Sequence, residues 1–273
     1  MGSSYANKIR QKRGEGRGKE YTPWYKVNEV SGSGKSTRVL GFKTGRTHHF
    51  LSDFEAGLFY IFDLNDNIED IREQFPLKDI DLAKELAEEA GIKYPSNRND
   101  EVHVLTSDYC ITYTDGREIM LTIKHLNDID KRQLERFEIE RRYWKHNGVQ
   151  WNIITEKEMP GKDELLNYKD IHSALRRFKR DNPSEKQFQE MVSSILKYYE
   201  KSSEMPLTQF TSTIDSELNI KKGYALMLIK AFIAKGMIKT DLTEPLVTSK
   251  RKMKDLNFTM VDAKNIRKSD LAA

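Results

Sequence analysis

The chain has 273 residues, enough for one large domain or two ordinary ones, and its 12 Phe, 12 Tyr and 3 Trp allow a packed core although 32% of the residues are charged. Its single cysteine, Cys110, excludes a disulfide framework and a cysteine zinc site. No apolar run approaches membrane-spanning length and no signal peptide is apparent, so we expect an intracellular protein with no membrane partner.

Charge is distributed unevenly along the chain. The net charge is only +4, but residues 1–46 hold eleven Lys or Arg against three Asp or Glu, residues 47–120 hold six against seventeen, and residues 161–273 hold twenty-one against fifteen. This pattern suits a protein that contacts a polyanion and concentrates carboxylates at one site. A solvated surface with uneven charge is the alternative.

Residues 1–20 are basic and rich in glycine. This composition predicts a flexible basic arm that can follow a phosphate backbone. A disordered tail without a function is the alternative.

The run Gly32-Ser33-Gly34-Lys35-Ser36-Thr37 resembles the end of a phosphate-binding P-loop, but Glu29 stands where the pattern needs its first glycine. Residues 39–50 then predict a β-hairpin, whereas a P-loop leads into a helix. We therefore argue against a nucleotide site. His48 and His49 do not predict a metal site either, because adjacent strand residues point to opposite faces.

The stretch Ser52-Asp53-Phe54-Glu55 predicts the start of a helix. Ser52 is a favourable N-cap, and Glu55 three residues later completes a capping box. The apolar stripe that follows is Phe54, Leu58, Ile61 and Phe62. Capping alone explains Glu55, but a second role is open if the helix start lies against the sheet face that carries Asp108.

Residues 107–124 predict a β-hairpin with Asp115-Gly116 at its tip. A three-residue loop, 114–116, pairs residue 113 with residue 117 and places both apolar rows on one face, whereas a one-residue slip would expose a buried row. Asp108, Thr122 and Lys124 then share the other face. A carboxylate beside a lysine can hold a divalent cation and polarise a phosphate; an exposed ion pair is the alternative.

The remaining elements of residues 21–160 predict a mixed sheet flanked by helices, an α/β nuclease-like core. They are a strand over 68–75, a helix over 79–90, a helix over 130–146 with Leu134, Phe137 and Trp144 inward, and a strand over 149–155. Glu140 lies on the apolar side of the last helix. An inward carboxylate needs a partner, and we favour a salt bridge to a neighbouring arginine.

Residues 161–273 predict a separate, mainly helical domain. Residues 207–218 and 221–234, joined by Asn219-Ile220, predict a helix-turn-helix, and residues 236–239 and 246–247 are candidate strands of a wing. This order is typical of a winged-helix-like module that docks on DNA or a partner. A plain helical bundle is the alternative.

Five stretches together resemble one known family. They are Arg46 to Glu55, Asp70 to Leu77, Thr106-Ser107-Asp108, Ile123-Lys124 and Glu140 to Trp144. They closely resemble the TnsA family, the restriction-endonuclease-like subunit of heteromeric cut-and-paste transposases. The resemblance extends in order to residue 155, and the helical remainder fits the family's C-terminal domain by pattern only.

The resemblance implies a Mg²⁺-dependent endonuclease, with Mn²⁺ as a substitute, that cuts the 5′ strands of double-stranded DNA at transposon ends. Glu55, Asp108 and Lys124 match the family's catalytic set. Glu55, Asp108 and the main-chain carbonyl of Ile123 would hold the metal, and Lys124 would activate water or stabilise charge. Thr122 stands where the family archetype has glutamine, so its part in the site is open, as is that of Glu140.

The resemblance also implies partners and a location. A TnsB-like subunit would cut and join the 3′ strands, and a TnsC-like ATP-dependent regulator would dock on the complex. The protein would be cytoplasmic in a bacterium and associated with the nucleoid when it acts. The competing hypothesis is a catalytically weak DNA-binding adapter that recruits these partners.

Overall fold

The computed structural model describes residues 5–29, 36–96, 103–199, 201–258 and 266–272. The chain divides into two compact units, Met1–Met159 and Pro160–Ala273. Most of the P-loop-like run, residues 32–35, lies outside the described residues. Within the described ranges, no helix is long and apolar enough to cross a membrane.

The first unit is a mixed α/β structure. Its elements are α1 (Tyr5–Arg10), β1 (Thr37–Leu40), β2 (Thr47–Phe50), α2 (Asp53–Leu64), β3 (Ile68–Pro76), α3 (Ile80–Glu89), β4 (Thr106–Tyr113), β5 (Glu118–Ile123), α4 (Lys131–His146) and β6 (Gln150–Ile154).

Four strands form one mixed sheet in the order β3–β4–β5–β6. The first two pairs are antiparallel, and β6 runs parallel to β5, because α4 provides the long crossover that a parallel pair requires. Helices α3 and α4 pack on one face, around Cys110 and Met120. Helix α2 packs on the other face, where Phe62 meets Tyr109 edge to face. The predicted mixed sheet flanked by helices is confirmed.

The register of the β4–β5 hairpin is the predicted one. Tyr109 lies opposite Leu121, the Tyr113 amide donates to the Arg117 carbonyl at 2.9 Å, and Gly116 has φ +82°. Only glycine adopts this left-handed conformation without strain. The three-residue loop therefore aligns Asp108 with Thr122 on one face.

The β1–β2 hairpin follows the P-loop-like run directly. The two strands pair antiparallel, with Val39 opposite His48, so a strand and not a helix follows the lysine-containing stretch of the sequence. His48 is buried and its ring nitrogens contact Thr44 and Glu73. His49, on the other face, accepts from the amide of Val27.

The N-terminal segment, for which the composition predicts a flexible arm, makes specific contacts through its basic side chains. Within residues 5–29 the Lys8 ammonium lies 3.8 Å from the ring centroid of Tyr25. Arg13 is buried, donates to both carboxylate oxygens of Glu29 and also donates to the Trp24 carbonyl. The aromatic rings and carboxylate that follow in the sequence hold the basic side chains.

Two helices bury the predicted faces in part: Leu58 of α2 and Phe137 and Trp144 of α4 are buried, as predicted. In α2 the buried aromatics are Phe59 and Tyr60, because the helix contacts the β1–β2 hairpin as well as β3. The predicted Phe54, Ile61 and Phe62 are only half-buried. In α4 the predicted Leu134 is 56% exposed, because the buried stripe is centred between Glu140 and Tyr143 and the first-turn leucine falls outside it.

The second unit is mainly helical, as predicted. Its elements are α5 (Lys162–Asp181), α6 (Glu185–Tyr199), α7 (Leu207–Glu217), α8 (Tyr224–Ala234), β7 (Ile238–Lys239), β8 (Asn257–Phe258) and α9 (Lys268–Ala272). The helix-turn-helix α7–α8 is present. The prediction for the second wing strand is wrong, because β7 pairs with β8 and not with residues 246–247. Helix α8 is apolar on most sides and buried, which makes it the core of this unit.

Candidate active site

A cavity of about 660 Å³ opens where the ends of β3, β4 and β5 meet the first turn of α2 and the middle of α4. Its lining includes every residue that the sequence proposed for the site: Glu55, Asp108, Thr122, Ile123, Lys124 and Glu140. The three carboxylates and the lysine proposed from the sequence therefore share one cavity.

Glu55 is fixed by the helix that it begins. The Ser52 hydroxyl accepts from the Glu55 amide at 3.1 Å and donates to its Oε1 at 2.9 Å, while the Leu51 amide donates to Oε2 at 3.0 Å. This is the predicted capping box with one difference: the Glu55 carboxylate accepts from the main-chain amide of Leu51 and not from that of Ser52. The Tyr109 hydroxyl donates to the Glu55 carbonyl at 2.7 Å and ties the helix start to β4.

Asp108 lies on β4 and faces the end of β5. Its Oδ2 accepts from the Ile123 amide at 2.6 Å. In an extended strand the N–H and C=O of one residue point to the same side, so the Ile123 carbonyl faces the same region as the Asp108 carboxylate. The strand geometry thus brings a carboxylate and a main-chain oxygen together.

Lys124 follows β5 and is half-buried at the cavity wall. Its main-chain amide donates to the Ile154 carbonyl at 3.0 Å. Its ammonium makes no hydrogen bond or ion pair with any residue that the structure describes, so the ion pair with Asp108 considered from the sequence is not formed. Burial raises the pKa of Asp108, and the positive charge of Lys124 offsets only part of that effect. The ammonium is available to a ligand in the cavity.

Glu140 does not form the arginine salt bridge that we expected. Its Oε2 accepts from the Ser107 hydroxyl at 2.9 Å, the Thr122 hydroxyl at 2.6 Å and the Trp151 indole N–H at 3.2 Å. No arginine of the described ranges pairs with it. Neutral donors from three strands therefore bind Oε2 of the buried carboxylate. The other oxygen, Oε1, has no donor among the described residues and is available to a ligand in the cavity.

The hydrogen bonds around Glu140 also show what Thr122 does in the site. Its hydroxyl donates to Glu140 and accepts from the Trp151 indole at 3.0 Å. Thr122 therefore orients Glu140 and has no direct role that the geometry shows. Sequence reasoning missed Trp151, because the partners of its indole N–H lie on β5 and α4 and depend on which elements lie side by side.

Sequence reasoning also missed Gln74 on β3. Its side-chain amide donates to Glu55 Oε2 and to Asp108 Oδ1, each at 3.3 Å. The only sequence signal was its place in the 70–77 stretch. Its alignment with Asp108 follows from the β3–β4 register. That register could not be predicted from the sequence.

The electrostatics of the cavity favour a bound cation. Burial and the nearby charge of Asp108 raise the pKa of Glu55, and burial raises the pKa of Glu140 to about 7. None of these three carboxylates forms an ion pair with a described lysine or arginine. Buried carboxylates without a counter-charge are costly.

The donor set suits Mg²⁺. Carboxylates and a carbonyl are the oxygen ligands that this ion prefers, and it usually binds through one or two carboxylates while keeping water or substrate phosphate in its other positions. Within the described residues, no three His, Cys, Asp or Glu side chains enclose a metal on their own. An open site with few protein ligands is what the geometry allows.

A mixed sheet that gathers carboxylates and a lysine at one end, followed by a mainly helical unit, defines a restriction-endonuclease-like class of chain. Residues 65–156 match the family model for the N-terminal part of TnsA-like endonucleases, and residues 162–242 match the model for the C-terminal part of the TnsA endonuclease. Each match lies within one structural unit.

The chain is similar to the transposon Tn7 transposition protein TnsA of Escherichia coli. The two are 32% identical over 241 residues, which cover 87% of this chain and 85% of the relative. The chain belongs to the TnsA family.

Proposed function

We propose that this chain is the Mg²⁺-dependent endonuclease subunit of a transposase and cuts the 5′ strands at transposon ends. The observation that carries the proposal is the cavity in which Glu55, Asp108 and Glu140 converge without a cationic partner, beside Lys124. The family matches and the name of the Escherichia coli relative support the link to transposition.

Hydrolysis of a phosphodiester needs an activated water and stabilisation of the charge on the phosphate. Glu55, Asp108 and the carbonyl of Ile123 would hold the cation. Bound there, Mg²⁺ or Mn²⁺ would act as a Lewis acid on the phosphate and lower the pKa of a bound water.

Two side chains of the cavity would contact the phosphate and the water. Lys124 presents a compact positive charge to a phosphate oxygen. Glu140, fixed through Oε2, presents Oε1 to the cavity and can hold a water by hydrogen bonding. An adapter has no need of buried, uncompensated carboxylates, so their presence favours the enzyme.

Arg136 extends the site toward the DNA backbone. It lies one helical turn before Glu140 and lines the same cavity. A guanidinium at the wall of this cavity suits a phosphate next to the one being cut.

The proposal includes two protein partners. A TnsB-like subunit would cut and join the 3′ strands, and a TnsC-like ATP-dependent regulator would dock on the complex. The division into two units supports chemistry in the first and partner or DNA contacts in the second.

The test is strand-specific cleavage of a duplex transposon end, labelled separately on each strand, in the presence of Mg²⁺ and the TnsB-like subunit. Asp108→Ala should abolish cleavage of the 5′ strand while the 3′ strand is still cut. The product then changes from an excised element to one that remains tethered to donor DNA through its 5′ strands.

The matched control is Asp115→Ala at the tip of the same hairpin, where the carboxylate is 63% exposed and distant from the cavity. This variant should cut both strands normally. If folded and assembled Asp108→Ala protein still cuts the 5′ strand, the proposed function is wrong.

A further inference from the structure

Gln74 has an unusual backbone for a residue in a strand. Its φ of +50° lies in the left-handed region, which residues with a Cβ seldom adopt. Its neighbours Glu73 and Phe75 pair with Tyr109 and Ser107 on β4, so Gln74 lies opposite Asp108. Strain of this kind costs about 1–3 kcal/mol and persists only where the surroundings impose it.

The N-terminal segment holds this backbone in place. The strand β3 is at the edge of the sheet, and its outer side faces residues 21–24. The Tyr21 hydroxyl donates to the Glu73 carbonyl at 3.0 Å, and the Trp24 amide donates to the Gln74 carbonyl at 3.2 Å. Residues 21–24 thus bond to two consecutive carbonyls of β3, that of the left-handed residue and that of the residue before it.

The strained backbone places the Gln74 amide between two carboxylates. The side chain is buried, and its Nε2 donates to Glu55 Oε2 and Asp108 Oδ1. The Thr106 hydroxyl donates to its Oε1 at 3.2 Å. The flipped amide would direct an oxygen at two carboxylates and lose both hydrogen bonds to them, which fixes the orientation of the amide; the Thr106 hydroxyl can bond to either end.

We propose that Gln74 is the positioning residue of the cation site: its amide bridges Glu55 and Asp108 and holds their carboxylates in the orientation in which they bind a divalent cation. The inference rests on the proposed function, since it assumes that this cavity binds a metal. Glu55 comes from a helix and Asp108 from a strand, and like charges repel, so without a shared donor the two groups would separate. Residues behind metal ligands act in this way in many sites.

The test measures binding of Mn²⁺ alone to the full chain by titration calorimetry, without DNA, so the readout does not depend on cleavage. Gln74→Met keeps the size of the side chain and removes the amide. Gln74→Gly removes the amide and also relieves the left-handed strain. Both variants should bind Mn²⁺ at least about tenfold more weakly than the unmodified protein, and Gln74→Gly should retain its Tm.

The control is Lys12→Gly, which relieves a left-handed residue of φ +53° in the same unit, outside the cavity. It should leave Mn²⁺ affinity unchanged. If the folded Gln74 variants bind Mn²⁺ as tightly as the unmodified protein, or if Lys12→Gly weakens binding equally, the positioning role is wrong while the proposed function stands. If the unmodified protein does not bind Mn²⁺, both proposals fail.

Discussion

Glu73, the residue before Gln74, offers a test of how the sheet is anchored. Its fully buried carboxylate accepts from Arg46 at 2.8 and 2.6 Å, from the His48 ring at 2.8 Å and from the His49 amide at 3.0 Å. Glu73→Gln removes the charge and leaves the Arg46 guanidinium, which is also buried, without its counter-ion.

The cost follows from this burial. Removing one partner of a buried ion pair destabilises a protein by about 3–5 kcal/mol. For a unit the size of Met1–Met159, each kcal/mol corresponds to about 2–4 °C, so Tm should fall by about 6–20 °C. Differential scanning calorimetry at pH 7 measures this difference.

The effect should depend on pH in a defined direction. Burial alone would raise the pKa of Glu73, but His48 and Arg46 outweigh it and hold the pKa well below its usual range. A folded-state pKa that is depressed gives stability that is complete above the unfolded-state value of about 4.3 and is lost as the pH falls toward the folded-state pKa. The Tm difference between the two proteins should therefore narrow as the pH falls below about 4.

The control is Glu138→Gln on the solvent side of α4. The hydrogen bond from Arg141 lowers the pKa of Glu138 to about 2, and Arg142 adds to this effect. An exposed pair contributes only about 0–1 kcal/mol, so this variant should lose no more than about 4 °C. If Glu73→Gln costs no more than Glu138→Gln, or if its effect is equal at pH 3 and pH 7, the buried charge is not the cause.

Three further variants test the cavity. Arg136→Ala should weaken DNA binding in fluorescence anisotropy and reduce the slope against log salt by about 1, with Mn²⁺ affinity unchanged, whereas Arg141→Ala on the outer side of α4 should have less effect. Thr122→Val removes a donor to Glu140 and should slow 5′-strand cleavage about tenfold in a single-turnover assay, with the fold intact. Lys124→Met should abolish cleavage but leave Tm within about 2 °C, since the ammonium has no partner among the described residues to lose; a large fall in Tm would contradict this account.

Local chemistry allowed much of the first unit to be predicted from the sequence. The loop at Gly116 fixed the hairpin register, and the cap at Ser52 fixed the start of α2, because each depends on residues close in sequence. The partners of Glu140 and the place of Gln74 depend on which strands lie side by side, and no local pattern contains that information. The contacts of Lys8 and Arg13 in the N-terminal segment could not be predicted for the same reason.

The buried acidic residues of this unit are of two kinds: those that an arginine neutralises and those without an ion pair. Composition alone does not distinguish them. Glu73 and Gln74 are adjacent, yet strand alternation sends the first side chain to Arg46 and the second toward Asp108. The carboxylate of Glu73 is neutralised within the fold, so it contributes stability and has no need of a ligand. Asp108 has only amide donors and a lysine that does not pair with it, so no described residue balances its charge. The carboxylates whose charge the fold leaves unbalanced are therefore the ones that we propose as cation ligands.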